Sequence, residues 1–210
     1  MKATASTGHA ERVSVAVIGG GPAGATAALV LAGSGVAVAL LEHTEDGDGV
    51  NQDGGQEVWK IGEGLPPLAR PLLNQLGLWE RFVADGHLPS YGNCAAWGTP
   101  QLLDHSFLFD PHGHGWHLDR RQFDRMLRAA AIEAGAMNYC GLQVAGCHRE
   151  AADWQLELVT AQAERRHLAA RFVVDASGRS SWFARRQSAR RINADGLVGL
   201  AALLSPPAET

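Results

Sequence analysis

A short apolar run, Val13, Val15, Val17 and Ile18, leads into Gly19-Gly20-Gly21-Pro22-Ala23-Gly24, and an alanine-rich stretch joins this to a second apolar run ending at Glu42. The order is strand, glycine turn, helix, strand. Glycines at 19, 21 and 24 permit a tight turn, close approach of backbone to a pyrophosphate, and close packing of helix on strand. The helix N-terminus offers free N–H groups and a partial positive charge. The helix is expected over Pro22 to Ala32, stopped by Gly33 and Gly35, and the second strand over Val36 to Leu41. Glu42 stands 18 residues past Gly24, near the ~20 expected of an acid that holds a ribose hydroxyl pair. Together these features predict a dinucleotide-binding βαβ unit, without deciding between NAD and FAD.

At 210 residues with 46% hydrophobic content, the chain can bury a sizeable core in one domain. Its net charge of −4 comes from interleaved signs, so no nucleic-acid footprint is expected and the partner is a small molecule or a protein. There is no run of ~18 apolar residues to span a membrane. Met1 to Glu11 has no apolar h-region, so a cytoplasmic location is expected. Cys94, Cys140 and Cys147 have neither C-x-x-C spacing nor a neighbouring ligand set, which argues against a disulfide framework or a structural metal.

After Glu42, residues His43 to Gln56 read as a surface loop. Its Asp46, Asp48 and Asp53 lack the downstream acid and flanking helices of a calcium loop. A short strand is expected over Glu57 to Ile61, and helical spacing covers Pro66 to Leu76 and Trp79 to Ala84, broken by Gly77. Short extended pieces follow at Cys94 to Trp97, Ser106 to Phe109 and Trp116 to Leu118, suggesting an antiparallel sheet beside the nucleotide-binding part. Arg120 to Ala134 is amphipathic, with Phe123, Met126, Leu127, Ala130 and Ala131 on one face and Gly135 as its stop. Strands are expected over Leu142 to His148, Trp154 to Thr160, Arg171 to Asp175 and Leu197 to Leu204.

The segment Phe172-Val173-Val174-Asp175-Ala176-Ser177-Gly178-Arg179 runs an apolar strand into an acid, small residues and a glycine. Asp175 then lies at the carboxyl end of a strand, where open α/β sheets hold ligands; the other reading is a capping aspartate. With the first motif, this pattern resembles the FAD-binding aromatic monooxygenase and halogenase superfamily over nearly the whole chain. The resemblance implies an α/β fold: a three-layer, Rossmann-like FAD-binding domain of glutathione-reductase type with part of an antiparallel substrate sheet, apparently truncated. It places the ADP part of FAD on Gly19, Gly21, Pro22, Ala23 and Gly24, the adenosine ribose on Glu42, and Asp175 and Gly178 near the pyrophosphate. Arg120 matches the family's phosphate-reaching arginine, against the plainer reading of a solvated helix-end charge, and Val144 falls among the cofactor-binding positions. Lys60-Ile61-Gly62-Glu63-Gly64-Leu65-Pro66-Pro67 is similar to the G-E-x-x-x-P turn that runs close to the isoalloxazine in flavin-dependent halogenases and their relatives.

Those halogenases use a lysine located after this turn, and this sequence has none beyond Lys60. Halogenation is therefore disfavoured. Gly86 to Asn93, Trp97-Gly98 and Asp110 to Arg120 look similar to LodB-like flavoproteins, which mature quinone-cofactor amino-acid oxidases. The resemblance implies hydroxylation of an aromatic ring, with a tryptophan of a partner polypeptide or an aromatic small molecule as substrate. FAD is the cofactor, and NAD(P)H or an external flavin reductase is the electron source. Glu63 and His117 are the candidate catalytic groups. His105, His112, His114 and His117 do not form a metal set in any obvious register, and no metal is expected. The family's later G-D motif and second substrate sheet do not occur before Thr210. Residues 1–210 are accordingly expected to be an incomplete FAD-binding domain, with 86–119 in a partial substrate-binding sheet and a complementing chain as a further partner. An isoprenoid-type flavin reductase, and a non-catalytic FAD-binding module, remain open as alternatives.

Overall fold

The structure, a computed structural model, describes residues 11–43, 62 and 64–200. The expected strand Glu57–Ile61, most of the loop after Glu42, Glu63, and the end of the Leu197–Leu204 run lie outside the described residues. In chain order the elements are β1 (Glu11–Ile18), α1 (Pro22–Gly33), β2 (Val38–Glu42), β3 (Gly64–Leu65), α2 (Ala69–Gln75), α3 (Trp79–Ala84), β4 (Leu88–Ser90), β5 (Gly92–Ala96), β6 (Leu102–Ser106) and β7 (Gly115–His117). They continue with α4 (Arg120–Glu133), β8 (Met137–Cys140), β9 (Leu142–Glu150), β10 (Asp153–Thr160), β11 (Arg165–Asp175) and α5 (Trp182–Arg186). The chain divides into two compact units, the boundary falling within α4 between Phe123 and Asp124.

The first unit holds residues 11–43 and Asp124–Ser188. Its sheet runs β8-β2-β1-β11-β10-β9, with β8, β2, β1 and β11 mutually parallel and β11, β10 and β9 an antiparallel meander. Against one face, α1 presents Gly24, Ala25, Ala28 and Ala32, residues small enough to let the helix lie close on the strands. Val15, Val17, Val38 and Leu40 meet it there, joined by Ala131 of α4 and Ala136. A second core gathers Ile18, Leu41 and Tyr139 with Leu142, Val144, Leu156, Leu158 and Leu168 of the meander. Strand β9 also approaches β2, although four places separate them in hydrogen-bonding order, so the sheet curls over and the meander becomes a third layer. Leu156, Leu158 and Leu168 are fully buried, each a stabilisation of about 1.5–3 kcal/mol.

The second unit holds residues 62, 64–123 and 189–200. Strands β3, β7 and β4 form a three-stranded antiparallel sheet, and β5 pairs with β6 in a separate two-stranded ribbon. An aromatic cluster is centred on Phe82, 1% exposed, whose ring lies 5.7 Å from Trp79, 5.3 Å from Trp116 and 5.9 Å from Phe123. Asp119 caps the start of α4, its Oδ1 accepting the N–H groups of Arg121 and Gln122 at 2.9 and 3.0 Å.

Three expectations need correction. Ser106–Phe109 is not a strand. The extended piece is Leu102–Ser106, and the chain then turns, with the Ser106 hydroxyl accepting the Leu108 N–H and the Phe107 carbonyl accepting that of Asp110. Residues 197–200 are not a strand either; Asp195 Oδ1 accepts the Leu197 N–H, and Leu197, Val198 and Leu200 are exposed. Finally, β11 begins at Arg165 rather than Arg171, because its first half pairs with β10 before its second half pairs with β1.

Candidate nucleotide site

Parallel strands β1, β2 and β11 end together, and their C-terminal edges are stitched by the backbone. Gly19 N–H donates to the Leu41 carbonyl at 2.8 Å, and Ala176 N–H to that of Ile18 at 2.9 Å. Gly19 has φ +110°, and a Cβ there would lie 2.4 Å from the Ala176 carbonyl oxygen. At Gly24 a Cβ would sit 1.8 Å from the Gly19 oxygen. These two glycines are needed by the fold itself. Gly21 differs: it is the N-cap of α1, it makes no side-chain cap, and nothing lies within 4 Å of a Cβ built on it. Pro22 opens the helix, and the first helical bond runs from Ala25 N–H to the Gly21 carbonyl at 2.9 Å. A 12-residue helix thus points a bare N-terminus into open space beside a strand edge, which is the cradle a pyrophosphate needs.

Glu42 closes the other side. Its Oε2 accepts the Gly20 N–H at 2.7 Å, and Oε1 lies 2.8 Å from His43 Nδ1. The carboxylate is 11% exposed at the end of β2. Arg128, which nothing in the sequence marked, reaches the same turn from α4: its Nη1 donates to the Gly20 carbonyl at 3.3 Å.

Asp175 ends β11 as expected, but its carboxylate is turned onto its own loop. Oδ1 accepts the Ser177 hydroxyl at 2.5 Å and the Ser177 N–H at 3.1 Å; Oδ2 accepts the Ala184 N–H at 2.8 Å. Burial alone raises its pKa, yet these hydrogen bonds, with one from the Phe183 amide, outweigh that and hold it below the usual value. The capping reading therefore describes what Asp175 does in the loop, which carries Gly178 at φ +63°. Val144 is buried in the meander core, where it pairs with Leu158 of β10, so its side chain is used in packing.

In the second unit, Gly62 has φ +105° and its carbonyl accepts Arg120 Nη1 at 3.1 Å, so the candidate turn and the candidate phosphate arginine are brought together. Glu63 lies outside the described residues. His117 is exposed on β7, where its main chain pairs with Gly64 and Leu88. Among the described residues no group of His, Cys, Asp and Glu is placed to hold a metal ion, and no helix is long and apolar enough to cross a membrane. The residues of the glycine turn thus fit the nucleotide end of a dinucleotide: backbone openness at Gly21, helix amides, and one acid at ribose position.

Comparison with known proteins agrees with this geometry. The sequence profile of the FAD binding domain family matches residues 12–203. The chain is 30% identical over 192 residues to the FAD-dependent oxidoreductase LodB of Marinomonas mediterranea, covering 91% of this chain and 50% of that protein. It is 31% identical over 203 residues to the 1H-pyrrole-2-carbonyl peptidyl-carrier-protein chlorinase of Pseudomonas fluorescens, covering 84% and 41%. Among solved structures, a flavoprotein/dehydrogenase from Cytophaga hutchinsonii superposes with a TM-score of 0.73 at 25% identity, over 88% of this chain and 44% of that one. The myxobacterial chondrochloren halogenase CndH superposes with 0.69 at 28% identity, over 81% and 38%. The chain spans about half the length of the curated relatives it matches. It belongs to the FAD binding domain family and is similar to FAD-dependent oxidoreductases and halogenases.

Proposed function

We propose that this chain carries the FAD-binding part of an aromatic monooxygenase whose substrate is an electron-rich ring, with a tryptophan of a partner polypeptide as the favoured case. The observation that carries the FAD assignment is the open Gly21 N-cap facing Glu42 across the end of the sheet. The Ala23 and Gly24 amides bind the pyrophosphate, Glu42 accepts a ribose hydroxyl while its other oxygen steadies Gly20, and Arg128 fixes the turn from behind. Asp175 keeps the loop through Gly178 in shape beside the pyrophosphate, and Val144 is a further nucleotide-binding position; on the second unit, the resemblance assigns phosphate to Arg120 and the flavin ring to Gly62. Glu63 and His117 are the candidate groups for holding or moving a proton. FAD, when bound, supplies the redox chemistry, taking electrons from NAD(P)H or an external reductase and activating O2. The likeness to LodB supports an FAD-dependent oxidoreductase, and the polypeptide substrate rests on what the resemblance to LodB-like flavoproteins implies. Residues 86–119 are assigned to a substrate-binding sheet, a complementing polypeptide is a further partner, and the location is cytoplasmic.

A second reading, halogenation, is favoured by the likeness to the pyrrole chlorinase and weakened by the absence of lysine after Lys60. The test is to load the protein with FAD, reduce it, and admit O2 with chloride and a tryptophan-containing peptide. A product heavier by one oxygen supports monooxygenation. Chlorine in the product replaces it with the halogenase reading, and flavin turnover that leaves the peptide unchanged removes both.

A further inference from the structure

Four peptide planes carry the chain from β1 into α1, and their bonds come from four different places. The sheet holds the first, through Gly19 N–H on the Leu41 carbonyl at 2.8 Å. Glu42 holds the second, its Oε2 accepting the Gly20 N–H at 2.7 Å. The fourth belongs to α1, where the Gly21 carbonyl accepts the Ala25 N–H at 2.9 Å. The third, between Gly20 and Gly21, is reached by Arg128, whose Nη1 donates to the Gly20 carbonyl at 3.3 Å. The Arg128 stem also lies against that glycine: a Cβ on buried Gly20 would start 2.9 Å from Arg128 Cδ. All of these residues lie in the first unit.

The third plane is free to turn over unless something holds it. It lies between two glycines, and a half-turn takes φ of Gly21 from −71° to roughly +110°, a value that glycine adopts and other residues avoid. The orientation matters because in a trans peptide the N–H and the C=O point opposite ways. With the Gly20 carbonyl drawn to Arg128, the Gly21 N–H faces away from Arg128, at the helix mouth where nothing lies within 4 Å of a Cβ built on Gly21. With the plane reversed, a carbonyl oxygen replaces a donor there, and the row of amides that suits an anion is broken.

We infer that Arg128 is a positioning residue for the diphosphate of the bound nucleotide, acting through the Gly20–Gly21 peptide rather than by touching phosphate. The inference rests on the glycine turn being the nucleotide site. The test uses the 210-residue chain with ADP as the probe, calorimetry for affinity, and the NMR signal of the Gly21 amide. In the parent chain ADP is expected to shift that amide. Arg128→Met is expected to keep its circular dichroism spectrum, to bind ADP at least about tenfold more weakly, and to lose the shift. The ratio of affinities persists in 1 M salt, where the Debye length is about 3 Å, because a bond and not a distant charge is lost. Arg128→Lys keeps a donor and recovers part of the affinity. A ratio that vanishes in 1 M salt, an Arg128→Met chain that binds ADP like the parent, or an Arg128→Lys chain that recovers nothing overturns the inference. So does a Gly21 amide that ADP leaves unmoved in the parent, whether or not the variants fold. A parent chain that does not bind ADP removes the nucleotide reading and this inference with it, whereas the other adverse results remove this inference alone.

Discussion

Replacing Gly21 and Gly24 by alanine, one at a time, separates what the glycine turn does for the fold from what it does for the cofactor. At Gly24 the added Cβ would start 1.8 Å from the Gly19 carbonyl oxygen and 3.0 Å from Ala176 Cβ. Because the first obstacle is backbone, α1 must retreat by about 1.2 Å to reach the 3.0 Å limit of real contacts. Overpacking of this kind costs about 1–3 kcal/mol, offset by up to about 1 kcal/mol of helix propensity. The net loss is about 1–2 kcal/mol, or roughly 2–8 °C in Tm for a chain of this size. At Gly21 the backbone, φ −71° and ψ −177°, suits any L-residue and no atom lies within 4 Å of the new Cβ. Glycine is only modestly better than alanine at an N-cap, so Gly21→Ala costs under about 1 kcal/mol. It puts a methyl where the pyrophosphate must touch the backbone, and losing one charge-assisted bond of about 1.5–3 kcal/mol weakens FAD at least about tenfold. Thermal melts without FAD and flavin-fluorescence titrations of both variants are the assay. The reasoning is refuted if Gly21→Ala binds FAD like the parent chain, or if it unfolds as readily as Gly24→Ala.

Glu42→Ala removes the acceptor of Gly20 and, on the proposed reading, that of the ribose, so FAD affinity is expected to fall about tenfold to a hundredfold, read by the same titration, whereas Glu42→Gln keeps an acceptor and falls less. Asp175→Ala frees the Ser177 and Ala184 amides and lowers stability by about 1–2 kcal/mol at pH 7, measured by urea unfolding. Because the folded pKa of Asp175 is depressed, that contribution is present above the ordinary aspartate pKa of about 3.9 and is lost as pH falls through the folded value. The gap between parent and variant therefore stays constant from pH 7 to 5 and closes in more acid solution; a gap that widens below pH 4 contradicts the assignment.

The βαβ unit was legible because its determinants are local. Val13 to Glu42 holds strand, turn, helix and acid within one continuous stretch, and each residue needs only its near neighbours to specify its place. The amphipathic face of α4 was legible for the same reason: Phe123, Met126, Leu127, Ala130 and Ala131 are all buried. What escaped was set by distant partners. Strand β8 has four residues and no apolar alternation, and exists because Ala39 to Glu42 offers it a parallel register. The first half of β11, Arg165-Arg166-His167, reads as a charged loop until β10 pairs with it. Phe107, Leu108 and Phe109 looked like strand on hydrophobicity, yet only Phe107 is buried, because a hydroxyl and a carbonyl turn the chain there. Arg128 reaches the site by a bond to Gly20, 108 positions away, which no spacing rule encodes. The role of Asp175 was split between ligand and cap until its acceptors were seen to be filled by Ser177 and Ala184.

The most direct test of the central claim is the absorption spectrum and dissociation constant of this 210-residue chain with added FAD, beside Gly21→Val and Glu42→Ala. Saturable yellow binding that either substitution weakens at least about tenfold is the predicted result. Failure to bind FAD, or binding that ignores both changes, would contradict the account.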